Sequence, residues 1–387
     1  MSAVRGFPVS EFEARVARAQ TLMAAEGLGL LLLTTEPEVR YFSGFLTQFW
    51  QSPTRPWFLL VPRAGKPVAV IPGIGAAAME RTWIEDIRTW PSPCPEDEGL
   101  SLLADTIREL GGDRPVIGIP SGPETHLRLP LADYETVRAS LPDATFRDDA
   151  GIHRRLRTIK SGAEIDKIRT ACQMVSGVFE DWPSWLSAGM SEREIFREFK
   201  IACLKAGADD VSYLVGGAGP GGYGDIISPP SDRRVTDGDV LILDTGTLHD
   251  GYFCDFDRNF AIGTPSGDVR SAYEAAYAAT DAALAAARPG ATCADLFRVM
   301  AQVLEAGGAQ VGDVGRLGHG LGMQLTEWPS ITASDMTILR PGMVLTLEPG
   351  LEYAPGKMMV HEENIVIREE GAELLTRRAP SEVPVVH

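Results

Sequence analysis

A two-domain α+β protein is predicted by three observations. The chain has 387 residues, enough for two domains that each bury a core. Its first half alternates short apolar runs with helical stretches, the pattern of an α/β domain. Its second half instead sets helical pairs between hairpin-like strand pairs, which predicts an antiparallel sheet.

Ser10-x-x-Glu13 reads as a capping box opening the first helix, with Phe12, Val16 and Met23 near helical spacing and Gly27 as the stop. The run Leu28–Thr34 follows as a buried strand. Further strands are expected at Trp57–Pro62, Pro67–Ile71 and Pro115–Ile119, with helices near Gly75–Trp83 and Leu100–Leu110. The chain turns basic at His153–Lys160, and Ser161-x-x-Glu164 is a second capping box, which places the domain boundary between residues 155 and 156. Beyond it helices are predicted over 161–181, 191–206, 270–287 and 293–306, and strands over 239–244, 251–260, 343–348 and 359–367. No fixed short repeat is present, which excludes solenoids and propellers.

Lys and Arg number 36 against 53 Asp and Glu, a net charge of −17. Such a surface repels phosphate backbones and anionic lipid, so nucleic acid and membranes are poor partners. Five scattered cysteines without a C-x-x-C pair argue against a disulfide framework or a thiolate zinc site and fit a reducing cytoplasm. The N-terminal stretch lacks an apolar export segment, and Leu28–Leu33 is too short to span a bilayer, so nothing is expected to export or anchor the chain.

The chemistry concentrates in the second half. Val240–Asp244 is an apolar strand expected to end in a carboxylate. Alternation then puts Asp255 and Asp257 on one strand face, with Phe256 opposite. Gly318-His319-Gly320-Leu321-Gly322 lets backbone pass close to something bound. Val344–Glu348 is another strand finishing in an acid, and Met359–Ile367 sets Glu362 and Glu363 into apolar sequence. Buried carboxylates are costly without cations, and these segments hold no matching set of Lys or Arg. A metal is the simplest explanation. Asp244, Asp255, Glu348 and Glu362 together carry −4, which balances two divalent ions. With one imidazole, the set suits manganese, cobalt, iron or zinc in a hydrolytic site whose ions lie roughly 3.5–4 Å apart.

The phrases LILDTG, YFCDFDRNF, GHGLG, LTLEPG and HEENIVI resemble the pita-bread metallopeptidases: prolidase, aminopeptidase P, methionine aminopeptidase and the metal-free creatinase. The resemblance covers roughly residues 155–375, and Arg40–Gly44 matches a phrase of the creatinase-type N-terminal domain. It implies that Asp244, Asp255, His319, Glu348 and Glu362 are metal ligands, that Asp255 and Glu362 bridge two ions, and that Glu348 is the general base for a bridging hydroxide. It also implies a homodimer and a short-peptide or other small-molecule substrate, conventionally cleaved before proline.

Several family groups are absent. Where relatives carry a histidine before the first Asp, counting back from Pro230 gives Ile227. Thr326 replaces a second histidine, and Val360 an arginine two residues before the last ligand. Losing such donors typically costs two to three decades in rate. Non-peptide C–N hydrolysis, or a lyase reaction like that of dimethylsulfoniopropionate lyases on this fold, is therefore the alternative to peptidase activity. A catalytically silent binding protein is a second one. Around the motifs, Tyr213, Tyr223, Asp225, Thr326 and Trp328 are candidate substrate contacts. Asp257 is a candidate extra or supporting ligand or an ion-pair partner of Arg258. In the first half, Trp50 and Arg55 sit in an aromatic loop that either binds substrate or packs on its own domain. Glu363 rivals Glu362, His361 is expected to be structural, and His249 to lie exposed in a turn.

Overall fold

The computed structural model describes residues 5–52, 55–309 and 315–387. The chain divides into two compact units, Val4–Arg157 and Thr158–His387. The first unit contains α1 (Val9–Glu26), β1 (Leu30–Leu33), α2 (Glu36–Ser43), β2 (Phe58–Pro62), β3 (Val68–Pro72), α3 (Ala76–Met79) and β4 (Asp86–Trp90). It continues through α4 (Leu100–Gly111), β5 (Val116–Ile119), α5 (Leu131–Ser140), β6 (Thr145–Asp148) and α6 (Ile152–Thr158). Six strands form one sheet in the order β4-β3-β2-β1-β5-β6, antiparallel from β1 through β3 and parallel elsewhere. Leu30, Leu32, Phe58, Leu60 and Ile117 of the sheet pack with Leu103 and Ile107 of α4.

Two local expectations are corrected here. Helix α1 starts at Val9 with Pro8 as its cap, so Ser10 and Glu13 lie inside the helix and form no capping box. Proline's fixed φ, here −66°, with an extended ψ presents its carbonyl to the N–H of Glu11 two residues earlier than the serine signal suggests. The helix expected to reach Trp83 ends at Met79, where Thr82 turns back on the Met79 carbonyl and the Trp83 indole donates to the Phe42 carbonyl at 2.7 Å. The stop at Gly27 is as expected: its φ of +68° is left-handed, and the N–H groups of Gly27 and Leu28 close on the Ala24 and Met23 carbonyls.

The second unit holds α7 (Gly162–Asp181), α8 (Glu192–Ala206), β7 (Asp210–Pro220), β8 (Asp239–His249), β9 (Tyr252–Phe253), β10 (Phe256–Ile262), α9 (Gly267–Ala286) and α10 (Cys293–Ala306). Short strands complete it: β11 (Gly318–Gly320), β12 (Glu327–Ser330), β13 (Val344–Leu347), β14 (Gly350–Ala354), β15 (Lys357–Val360), β16 (Glu363–Arg368), β17 (Gly371–Leu374) and β18 (Val385–Val386). One sheet runs β18-β10-β8-β7 with β9 on β8, another β12-β11-β13-β16-β17, and β14 pairs with β15. Phe179, Trp182, Phe199, Phe256 and Phe260 form the aromatic cluster that joins α7 and α8 to β10. Alanines of α9 pack with Leu296 and Met300 of α10 and with Leu345, Ile365 and Ile367 of the second sheet.

Capping boxes at Ser161/Glu164, Ser191/Glu194 and Thr292/Asp295 open α7, α8 and α10. Helix α9 begins at Gly267 rather than 270, because Ser266 caps the N–H of Val269. Strand β7 was not expected. Its glycines at 216, 217 and 219 are poor strand residues, yet residues 210–220 pair along β8 from Asp239 to Leu248. Gly216, at φ +122°, would place a Cβ 2.4 Å from the Ile242 carbonyl, so the close ladder is built on its missing side chain.

Strand β8 continues five residues past Asp244, and the turn falls at Asp250-Gly251, both at positive φ, in a two-residue hairpin joining His249 to Tyr252. Asp244 is therefore mid-strand, and His249 is buried at 5% exposure rather than lying in an exposed turn. The strand expected over 251–260 breaks at Cys254-Asp255, and the one over 359–367 breaks at His361-Glu362, where the chain leaves β15 for β16.

Candidate metal centre

These interruptions position the acids. Released from the ladder, Asp255 is held by Asn364, whose Oδ1 accepts the Asp255 N–H at 2.9 Å while its amide donates to the Asp255 carbonyl. Between β15 and β16, the Glu362 N–H donates to Asp257 Oδ1 at 2.9 Å, and that of His361 to the Pro349 carbonyl at 3.1 Å. Asp257 lies directly opposite Asp244 in the β8–β10 ladder.

Carboxylate oxygens of Asp244, Asp255 and Glu362 lie within 4.8 Å of one another. His319 Nε2 sits 3.2 Å from Asp255 Oδ2 and 3.6 Å from Glu348 Oε2, so all five expected ligands adjoin one cluster. The other nitrogen of His319 lies 2.8 Å from the Gly320 carbonyl; donating there leaves the Nε2 lone pair for the cluster. Burial, reinforced by the charges of Asp255, Asp257 and Glu348, pushes the Asp244 carboxyl far above its usual range. Burial, then Asp244 and Asp257, do the same to Glu362. Asp255 rises to about 6, burial outweighing its hydrogen bond with His319. For His319, burial opposes the protonated form, and the Asp255 hydrogen bond and the acidic neighbours overcome it, raising its pKa.

The donor set fits divalent cations. Asp244 Oδ1, Asp257 Oδ2 and Glu362 Oε2 are buried without a hydrogen-bond partner, a large cost unless a cation satisfies them. Glu363 points elsewhere, bonded to Arg258, Arg378, Thr376 and the Ala379 N–H, so of the two adjacent acids only Glu362 joins the cluster. Arg258 thus pairs with Glu363 and not with the Asp257 carboxylate. His361 faces away, its Nδ1 3.1 Å from Thr280 Oγ1 and its ring against Tyr273 and Tyr277.

A cleft of about 770 Å³ opens on this cluster. Asp244, Glu348 and Glu362 line it together with the apolar Ile226, Ile227, Leu351, Pro355, Met358 and Val360. Ile227 is 74% exposed there, so two of the three positions that lack the family's polar groups, 227 and 360, present hydrocarbon to the cleft. Tyr213 also lines it, its phenol pushed upward by burial and by the acids.

Other candidate contacts are placed differently. Tyr223 is a core residue at 2% exposure, its hydroxyl bonded to Asn259 and to the Val360 N–H, so it is not a substrate contact. Asp225 caps its own turn through Ile227 and Ser228. Thr326 is exposed in the bend before β12 and Trp328 is half-buried within that strand; neither lines the cleft. In the first unit Trp50 is buried against Phe45 and Trp57, and Arg55 lies over the Phe49 ring, a loop packed on its own domain. Sequence reasoning missed Arg316, which lines the cleft and donates to Glu348 at 3.1 Å; a lone cation two residues before Gly318 was its only signal. It also missed Asn364, which carries no signal outside the fold.

A creatinase-type domain followed by an α+β domain with a buried carboxylate cluster in a cleft defines a metal-dependent hydrolase. The chain belongs to metallopeptidase family M24, which matches residues 166–369, and the creatinase/prolidase N-terminal domain matches residues 15–159. It is 31% identical to the probable dipeptidase PepE of Mycobacterium tuberculosis over 384 residues, covering 99% of this chain and 98% of that protein. The crystal structure of dipeptidase PepE from Mycobacterium ulcerans superimposes with a TM-score of 0.85 at 28% identity, covering 98% of this chain and 99% of the other. Prolidase from Thermococcus sibiricus shares the fold, with a TM-score of 0.87 at 24% identity over 98% of this chain and all of that one. Among the described residues no helix is long and apolar enough to cross a membrane.

Proposed function

We propose that this protein is a dinuclear metal-dependent peptidase that cleaves short peptides, with Xaa-Pro dipeptides as the first substrate class. One observation carries the reading: buried carboxylate oxygens of Asp244 and Glu362 with no hydrogen-bond partner, beside Asp255, on residues that line an open cleft. Asp244, Asp255, His319, Glu348 and Glu362 would hold the ions. Bound there, two divalent ions would supply Lewis acidity and an acidified water at neutral pH. Glu348 is the most exposed acid that contacts His319, with its side chain 17% accessible and facing the cleft. That exposure lets it take a proton from water and return it to the leaving amine. Arg316 orients it through Oε1, and the hydrocarbon wall of Ile226, Leu351 and Met358 receives the apolar part of a substrate while excluding water. Manganese, cobalt, iron or zinc, a homodimer and a cytoplasmic setting belong to the same reading.

The exposed Ile227 and the cleft-lining Val360 favour a second reading, hydrolysis or elimination on a small non-peptide substrate that does not need the missing histidines. Both are tested by assaying Xaa-Pro dipeptides and Xaa-Pro-led peptides with each of the four metals, quantifying bound metal on the same samples. Cleavage lost by about a thousandfold in Glu348→Gln with metal retained supports the peptidase with Glu348 as base. Two bound ions without cleavage of any peptide would overturn it in favour of the second reading, and a protein that takes up no metal would overturn both.

A further inference from the structure

Asp257 is not needed as an acid by anything the fold asks of it. Its Oδ1 accepts the Glu362 N–H at 2.9 Å, a bond that a neutral side-chain oxygen can also accept. Its Oδ2 has no hydrogen-bond partner, and the residue is 1% exposed. The adjacent cation is committed elsewhere: Arg258 donates to Glu363 Oε2 at 3.1 Å and to the carbonyls of Glu362, Arg377 and Asp257 itself at 2.9, 2.7 and 2.6 Å, and not to the Asp257 carboxylate. Across the ladder stands Asp244, and one hydrogen bond away is Glu362, two of the acids assigned to the metal. A buried carboxylate oxygen with no partner, on a residue beside such acids, raises the energy of the fold unless a cation satisfies it.

We propose that Asp257 is an additional metal-binding carboxylate, placing its Oδ2 in the same centre as Asp244, Asp255 and Glu362. The inference rests on the metal reading above and adds a fifth carboxylate to it. That extra charge tightens cation binding at a centre whose cleft-side positions 227 and 360 carry only hydrocarbon.

The test is metal affinity, measured on the full chain without substrate. Manganese and zinc are each titrated against a chromophoric chelator for the wild type and for Asp257→Asn, Asp257→Thr and Asp244→Asn, and the melting temperature of each protein is taken in the presence of EDTA. Asparagine and threonine both keep an oxygen for the Glu362 N–H, so either serves should the other fail to fold. Both are expected to weaken at least one ion by tenfold or more. In EDTA they are expected to melt at or above the wild type, since a buried unpaired charge is gone; a merely structural role for Asp257 would lower that temperature instead. Wild-type affinity in both Asp257 variants with loss in Asp244→Asn would overturn the inference and leave the centre intact. Wild-type affinity in Asp244→Asn as well would overturn the metal reading itself.

Discussion

At Glu348 two oppositely charged side chains meet in a cleft that holds no other cation among its described lining residues: Arg316 donates to Oε1, and His319 stands near Oε2. The guanidinium is 37% accessible, so it can meet a substrate anion without being exposed from burial first. A free carboxylate on a dipeptide is the complementary group, because a planar donor fork matches it. Arg316→Ala should therefore raise KM for an Xaa-Pro dipeptide by about tenfold. It should shift KM for the corresponding C-terminal amide far less. Equal shifts for both would remove the carboxylate contact and leave Arg316 as an orienting partner of Glu348 alone. Much at this scale was readable beforehand. Apolar runs broken by single acids mark burial without compensation, so Asp244, Asp255, Glu348 and Glu362 stand out in the sequence. Tyr223 and Trp50 did not reveal their roles. An aromatic residue flanking a motif reads the same in sequence whether its ring fills a core or faces a ligand.

Elements are positioned by a few buried pairs that bridge distant segments. Lys160 precedes α7 and reaches Glu327 at the start of β12, with both side chains nearly inaccessible and the ammonium 3.1 Å from the carboxylate. Glu327 Oε1 in turn accepts the N–H groups of Met323 and Gln324, fixing the bend that follows β11 and His319. Removing one partner of a buried pair strands the other, at about 3–5 kcal/mol. Lys160→Ala should lower the denaturant midpoint accordingly, with an unchanged m-value. Lys160→Met/Glu327→Gln, which removes both charges while keeping an oxygen for the Met323 and Gln324 N–H groups, should recover most of that loss. A single variant as stable as the wild type would remove the pair from the elements' support. The capping box at Ser161/Glu164 identified α7 because its signal is local, a hydroxyl and an acid three residues apart, although the same pattern at Ser10/Glu13 lies inside α1. Strand β7 lacked such a signal. Glycine is a poor strand residue by propensity, and only the close approach of Ile242 explains why it stands in the ladder.

Over the whole molecule, on the proposed metal reading, the acids of the centre couple cation binding to stability. Buried carboxylates with raised pKa bind protons in the folded, metal-free protein that they have released when unfolded, so between the ordinary range and the raised values its stability falls as pH rises. For Asp255 that window runs from 3.8 to about 6, and Asp244 and Glu362 shift in the same direction. Cations compete with those protons. The melting-temperature gain on adding saturating manganese or zinc should therefore be small near pH 5 and exceed it by about 5 °C or more near pH 7.5. A gain independent of pH would mean that the ions bind away from these carboxylates. The sequence by itself determined the two fold classes, the position of most helices and the acids that gather in the buried cluster, because periodicity, caps and uncompensated charge are local properties of the chain. Only the tertiary structure decided where strands break to release Asp255 and Glu362, that Glu362 rather than Glu363 joins the cluster, and that Arg316 and Asn364 serve it. Those outcomes depend on which distant backbone satisfies each freed N–H and which arginine reaches each acid, and contacts between residues some hundred positions apart leave no pattern along the chain.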